Sequence, residues 1–343
     1  MYISAIVGAG FATGQEILSF FTKYGFIGFL GIFISITILA GTGVIVIRKA
    51  LRHDVNDLCD IAEMRFGKVG ALATRVFLVF LQFSVFSVML SGMKTILCEF
   101  GISAIVASSL LSGTALLIIS ADIGRVIKVN GLITPFVIIG ISFVCIMLLI
   151  KTTPEIGFVE NIVRIRSLEI TERKDWFISA ILYGFFNAVL AVPVLCSMKD
   201  VLNETKQPGK NALWGIGAGV GAIGVMALLV NLVLYQNLGE SNGSQMPIIG
   251  LAEKYFGKFG GIYQILIFAA MAGSFIICGK CSVDLLGRKA FIKGHGKRAE
   301  FIKAMIICVV AIPVSLVDFS GLMNILYPFF GALGILAIVL IVC

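Results

Sequence analysis

The sequence predicts an all-α polytopic membrane protein of about ten transmembrane helices, arranged as a five-plus-five inverted repeat whose first and sixth helices are broken. Three observations predict it. Hydrophobic residues make up 59% of the 343 residues and charged ones 13%, with a mean hydropathy of +1.04, whereas a soluble domain has roughly 45–50% apolar and about 25% charged residues. Apolar windows of the roughly 20 residues that a helix needs to cross a bilayer recur along the whole chain. A nonapeptide also recurs in corresponding places of the two halves, AEMRFGKVG at 62–70 and AEKYFGKFG at 252–260. No long hydrophilic block intervenes, so one domain over 1–343 is expected, with repeat one over about 1–150 and repeat two over about 176–343.

The windows fall near 1–22, 25–48, 70–97, 101–120, 126–150, 176–198, 212–237, 258–284, 302–318 and 321–343. With the N-terminus inside, the inner connections collect basic clusters such as Arg48, Lys49 and Arg52, and Arg288, Lys289, Lys293, Lys297 and Arg298. That bias predicts a multi-pass protein of the cytoplasmic membrane with both termini cytoplasmic. It also accounts for the net charge of +8 and pI near 9.1 without nucleic acid as a partner. The partners expected are the lipid bilayer and a small-molecule substrate, with the oligomeric state left open. The two nonapeptides introduce spans three and eight, five crossings apart, and so enter the membrane from opposite sides, as an inverted repeat requires.

Span one contains VGAGFATGQEI, residues 7–17. Gly8, Gly10 and Gly14 favour departure from helix geometry. Unwound backbone inside a bilayer leaves N–H and C=O groups that cost several kcal/mol each unless they are buried in protein or line a cavity. The break is therefore expected to face a site, where freed carbonyls could hold a cation and the following half-helix could hold a carboxylate. Span six carries YGFFNAVLAVP, residues 183–193, in which Gly184 and Pro193 are expected to break the helix and Asn187 to offer an amide. Close helix packing is the other reading of such glycines.

Glu16 is costly inside a membrane and is a candidate gate or proton site; a wet outer vestibule is its other reading. Gln82, Ser84 and Ser87 in span three, Asn231 in span seven, Ser274 in span eight and Asn324 in span ten are the remaining polar residues of the spans. Lys280 and Asp284 are spaced to pair along one helix face. Cys278 and Cys281 form a single CxxC without a second pair or a histidine cluster, so packing is preferred to a metal site. His53 and His295 lie in expected loops, and no HExxH or serine nucleophile motif occurs, so no enzyme and no catalytic residue is expected.

On these residues the sequence resembles the YkvI-like family of bacterial membrane proteins, whose first span carries a closely similar GAGF(A/S)(T/S)GQE run. The resemblance extends over nearly the whole chain, including FFNAVLAVP and the LYPFFG of span ten. More distantly the chain is similar to the amino acid, polyamine and cation (APC) transporter superfamily with its LeuT-like core. That core implies a substrate held between broken spans one and six and flanked by spans three and eight. The implied substrate-binding residues are Gly8, Ala9, Gly10, Phe11, Thr13 and Gly14, with Tyr183, Gly184, Phe185 and Asn187, and Ser84 and Ser87 from span three. A coupling sodium ion would use carbonyls near Ser4 and Val7 together with the hydroxyl of Ser274. With one clear hydroxyl in span eight, protons remain an equal choice for coupling, and no cofactor is implied beyond the sodium ion.

The function expected is secondary active transport of a small zwitterionic solute, an amino acid or related compound, by alternating access. The alternative is a transporter-derived membrane sensor that binds a small solute without net transport.

Overall fold

The computed structural model describes residues 6, 8–53, 57–120, 124–152, 175–241, 243–287 and 297–339, and every regular element among them is helical. The first span is in pieces: α1 (Ala9–Ala12), α2 (Gln15–Phe20) and a 3-10 turn (Thr22–Tyr24). Then come α3 (Ile27–His53), α4 (Leu58–Glu99), α5 (Ala104–Ile119), α6 (Gly124–Lys151), α7 (Trp176–Asn203) and α8 (Pro208–Gln236). The chain continues through α9 (Leu238–Ser241), α10 (Pro247–Phe256), α11 (Lys258–Gly287), α12 (Lys297–Ser315) and α13 (Phe319–Ala337). Arg288, Lys289, Lys293 and His295, placed in an inner loop from sequence, lie outside the described residues.

Among the described residues, six helices are long and apolar enough to cross a membrane: α3, α4, α7 over Trp176–Cys196, α8, α11 and α13. Ala104–Ile119 and Pro135–Lys151 are shorter apolar helices. The expected ninth span coincides with α12, whose first turns carry Lys297, Arg298, Glu300 and Lys303 and so dilute its apolar character.

The nonapeptide repeat has a structural counterpart. Gly67 and Gly257 both adopt left-handed φ, 64° and 54°, each ending a shorter helical segment and starting a long span. Only glycine takes that conformation without a steric penalty. Ala62 and Ala252 are both fully buried. A Cβ on Gly70 would strike the Phe66 side chain, and one on Gly260 would lie 2.6 Å from backbone atoms of Glu253. In each copy the alanine and the second glycine let the long span fold back tightly onto the helix before it. The first of those helices begins at Asp57, whose carboxylate accepts the N–H of Asp60 at 2.9 Å.

Span six differs from the expectation. α7 runs without interruption from Trp176 to Asn203 through both Gly184 and Pro193. A Cβ on Gly184 would come within 3.1 Å of Ile38 on α3, so this glycine permits close helix approach and does not unwind the backbone. Pro193 removes one i→i−4 bond, yet the neighbouring turns keep their helical form. The opposite side of α7 meets α13 in the same way: a Cβ on Gly331 would strike the carbonyl of Leu182, and one on Gly334 would lie 3.1 Å from the carbonyl of Phe185. α7 is thus clasped between α3 and α13, and α4 lies along α11. The broken first span packs against this group of helices.

Candidate functional site

The break in span one is real and centres on Thr13 and Gly14. Gly14 has φ 82°, and Ile248 of α10 and Leu234 of α8 pack where its Cβ would stand, at 2.7 and 3.3 Å. The carbonyls that the break frees are taken up by protein donors. The Tyr263 hydroxyl donates to the carbonyl of Ala12 at 2.6 Å, and the N–H of Ile248 donates to that of Thr13 at 3.0 Å. The Thr13 hydroxyl itself donates to the carbonyl of Gly10 at 3.1 Å. The carbonyls of Gly10, Ala12 and Thr13 thus each have a donor within the protein, as burial demands; the carbonyls expected to hold a cation are others, near Ser4 and Val7. Ser4 and Val7 lie outside the described residues.

Beside the break is a cavity of about 120 Å³. The first span contributes Ile6, Gly8 and Glu16; α4 contributes Gln82, Val85 and Met89. Phe186, Asn187, Leu190, Pro193 and Val194 form the α7 wall, Ser274, Ile277, Cys278 and Cys281 the α11 wall, and Tyr327 reaches it from α13. The volume lies below the roughly 300–1,000 Å³ of drug-sized sites. It suits a small solute or an ion.

Among the described residues Glu16 is the only Asp, Glu, Lys, Arg or His in that lining. It is 3% exposed, sits in the first turn of α2, and its Oε2 accepts the Tyr183 hydroxyl at 3.1 Å. The Tyr183 ring is fixed between Phe20 and Phe21, with centroids 5.1 and 5.0 Å away. Gly10 makes room for the carboxylate: a Cβ there would collide with Oε1 of Glu16 and come within 2.5 Å of the Met323 methyl. A buried acid facing no hydrogen-bond donor would be costly, and here the Tyr183 hydroxyl is the partner that the fold supplies. The wet-vestibule reading of Glu16 does not fit such burial.

Of the residues expected from sequence, Gly8, Glu16, Asn187 and Ser274 line the cavity. Tyr183 reaches it through Glu16, and Gly10 lies beneath the same carboxylate. Ala9 belongs to α1. Phe11 and Thr13 are fully buried but outside the lining, and Gly14 serves the backbone turn. Gly184 and Phe185 sit on faces of α7 turned to α3 and α13, away from the cavity. Ser84 and Ser87 also fall outside it, because the cavity face of α4 runs through Gln82, Val85 and Met89; the Ser87 hydroxyl donates instead to the carbonyl of Phe83 at 2.9 Å.

Sequence reasoning missed Gln82 and Tyr327 as site residues, while Phe186 falls within the stretch from Tyr183 to Asn187 that the resemblance implied. Phe186 and Tyr327 stack with centroids 4.1 Å apart and together form part of the cavity wall. The i, i+3, i+7 spacing from Gln82 to Met89 was the available signal for the first of them. No local signal pairs Phe186 with Tyr327, which lie far apart in sequence. Among the described residues no group of three or more His, Cys, Asp and Glu could hold a metal ion. The expected Lys280 to Asp284 pair forms at 3.2 Å, and Glu300 of α12 joins it at 3.5 Å.

No family model matches the chain. It is 26% identical over 348 aligned positions, spanning 100% of this chain and 94% of the relative, to the uncharacterized membrane protein YkvI of Bacillus subtilis. It is 20% identical over 339 positions, 99% of this chain and 93% of the relative, to the uncharacterized protein YyaD of the same organism. The resemblance to YkvI expected from the GAGFATGQE run thus extends over the full length. Among solved structures, the substrate-bound outward-open state of a Na+-coupled sialic acid symporter superposes with a TM-score of 0.60 at 15% identity, covering 97% of this chain and 77% of that one. The chain shares the fold of that symporter.

Proposed function

We propose that the chain is a secondary active transporter of the bacterial cytoplasmic membrane for a small zwitterionic solute, an amino acid or related compound, coupled to sodium or protons by alternating access. One observation carries the reading. A buried acid, Glu16, stands at a helix break and lines a cavity bounded by α4, α7, α11 and α13, in a fold shared with a Na+-coupled symporter. Ionisable residues at membrane depth mark substrate or ion pathways.

In this reading the solute's ammonium group pairs with Glu16, whose orientation Tyr183 sets, while the amides of Gln82 and Asn187 offer hydrogen bonds to its carboxylate. Phe186 and Tyr327 close over its apolar part. The hydroxyl of Ser274, with carbonyls near Ser4 and Val7, would take a coupling sodium ion; protonation of Glu16 would serve the proton-coupled version. Ten spans in a five-plus-five inverted repeat complete the proposal, supported by the matched pairs Ala62 and Ala252, Gly67 and Gly257, and Gly70 and Gly260.

The test is uptake by proteoliposomes across a panel of amino acids and related amines, under imposed sodium and proton gradients. Gradient-driven accumulation lost in Glu16→Gln is the expected result. Binding without flux would transfer the reading to a membrane sensor, and neither binding nor flux across the panel would overturn it.

A further inference from the structure

A second, larger cavity has no part in that reading. It is a groove of about 480 Å³ between α6 and the corner where α10 meets α11, which falls within the roughly 300–1,000 Å³ of small-molecule sites. Val144, Met147 and Lys151 form one wall, and Phe256, Phe259 and Tyr263 the other. Its outer rim is apolar and open: Phe143 is 59% exposed, Phe259 75% and Ile262 63%. At the Gly140 position the two helices touch, since a Cβ there would strike the Leu266 side chain.

Charge enters at one place. Lys151, the last residue of α6, is the only charged residue of the lining among the described residues. Its ammonium donates to the carbonyl of Tyr255 at 3.0 Å and lies 5.3 Å from the centre of the Phe256 ring. An ammonium has three protons to donate, and the side chain is exposed. A helix-end lysine above an apolar trough matches the two ends of a membrane lipid, a headgroup at the interface and a chain below it.

The groove also touches the broken span. Tyr263 forms part of its wall with its ring, while its hydroxyl holds the carbonyl of Ala12. We propose that this groove seats one acyl chain of an anionic phospholipid, with the phosphate on Lys151, and that the seated chain braces Tyr263 against the break in span one. The inference does not depend on what the cavity at Glu16 carries.

The experiment is native mass spectrometry of the detergent-solubilised full chain titrated with phosphatidylglycerol and, separately, phosphatidylcholine, with thermal unfolding measured in parallel. The wild type is expected to retain phosphatidylglycerol several-fold better than phosphatidylcholine and to melt higher with it. Lys151→Ala should bring the two lipids to equal retention. Val144→Trp, which fills the trough, should lower retention of both at least threefold and remove the thermal gain; Met147→Trp repeats that arm from the adjacent turn. Wild-type retention in both tryptophan variants would mean that only annular lipid binds, and would overturn the proposal. Full headgroup preference in Lys151→Ala would overturn it equally, because the negative charge of the headgroup would then be read by another residue.

Discussion

The hydroxyl of Tyr263 donates to the carbonyl of Ala12 at 2.6 Å, so that α11 holds the broken end of the first span. The carbonyl is buried beside a kinked backbone and has lost its place in a regular helix ladder. Tyr263→Phe keeps the ring and removes this donor. An unpaired buried carbonyl costs about 1–3 kcal/mol, and the variant should melt below wild type. An unchanged melting temperature would show that the bond contributes nothing.

Gly14 should tolerate no side chain. Its φ of 82° costs an L-residue about 1–2 kcal/mol, and the Ile248 Cγ1 atom lies 2.7 Å from where a Cβ would stand. Gly14→Ala is expected to destabilise by more than the conformational penalty alone. Chemical denaturation in detergent, set beside Gly8→Ala, checks it, since nothing lies within 4 Å of a Cβ at Gly8.

Glu16→Gln keeps the size of the side chain and an oxygen for the Tyr183 hydroxyl. The fold should survive, while the affinity for an amine-bearing solute falls at least tenfold, or about 1.4 kcal/mol. Gly10→Ala should lower affinity too, by pushing the carboxylate off its seat. Thermal shifts against a panel of amines report both; equal shifts in wild type and Glu16→Gln would remove Glu16 from the site.

The two nonapeptides predict a graded pair of effects. Gly67 and Gly257 have open space where a Cβ would stand, so alanine there meets only the backbone penalty of its positive φ, about 1–3 kcal/mol. Gly260 faces the backbone of Glu253 at 2.6 Å, which cannot yield like a side chain. Gly260→Ala should therefore destabilise more than Gly257→Ala, and the Gly67→Ala and Gly257→Ala losses should be similar. Expression and melting temperature of the three variants decide this.

Asp318 precedes α13 and accepts the N–H of Gly321 at 2.8 Å and the hydroxyl of Ser320 at 3.0 Å. These bonds hold its carboxyl below the usual range, the backbone N–H first. A carboxyl lowered on folding adds stability above its unfolded value near 3.9 and loses it as the pH falls through the lower folded value. Asp318→Ala should cost about 1 kcal/mol at neutral pH. The melting gap between wild type and variant should narrow as the pH falls from about pH 5; a gap that widens would contradict the capping role.

Much of this molecule was legible in its sequence because bilayer hydropathy and glycine chemistry are local. The apolar windows located α3, α4, α7, α8, α11 and α13, and the glycines of VGAGFATGQEI marked a true break. The repeated AEMRFGKVG and AEKYFGKFG each place a glycine of positive φ at the start of a long span. Local chemistry also placed a costly acid, Glu16, beside that break. What a glycine or proline does, however, depends on what stands against it. Gly14 turns the chain, whereas Gly184 admits Ile38 and leaves α7 whole, and no property of either residue by itself tells the two apart. The tertiary structure likewise decided that Tyr263 and Ile248 take the carbonyls of the break, that Gln82 and not Ser84 faces the cavity, and that Phe186 meets Tyr327. Each of these is a contact between distant segments, set by how helices rotate and approach when they pack.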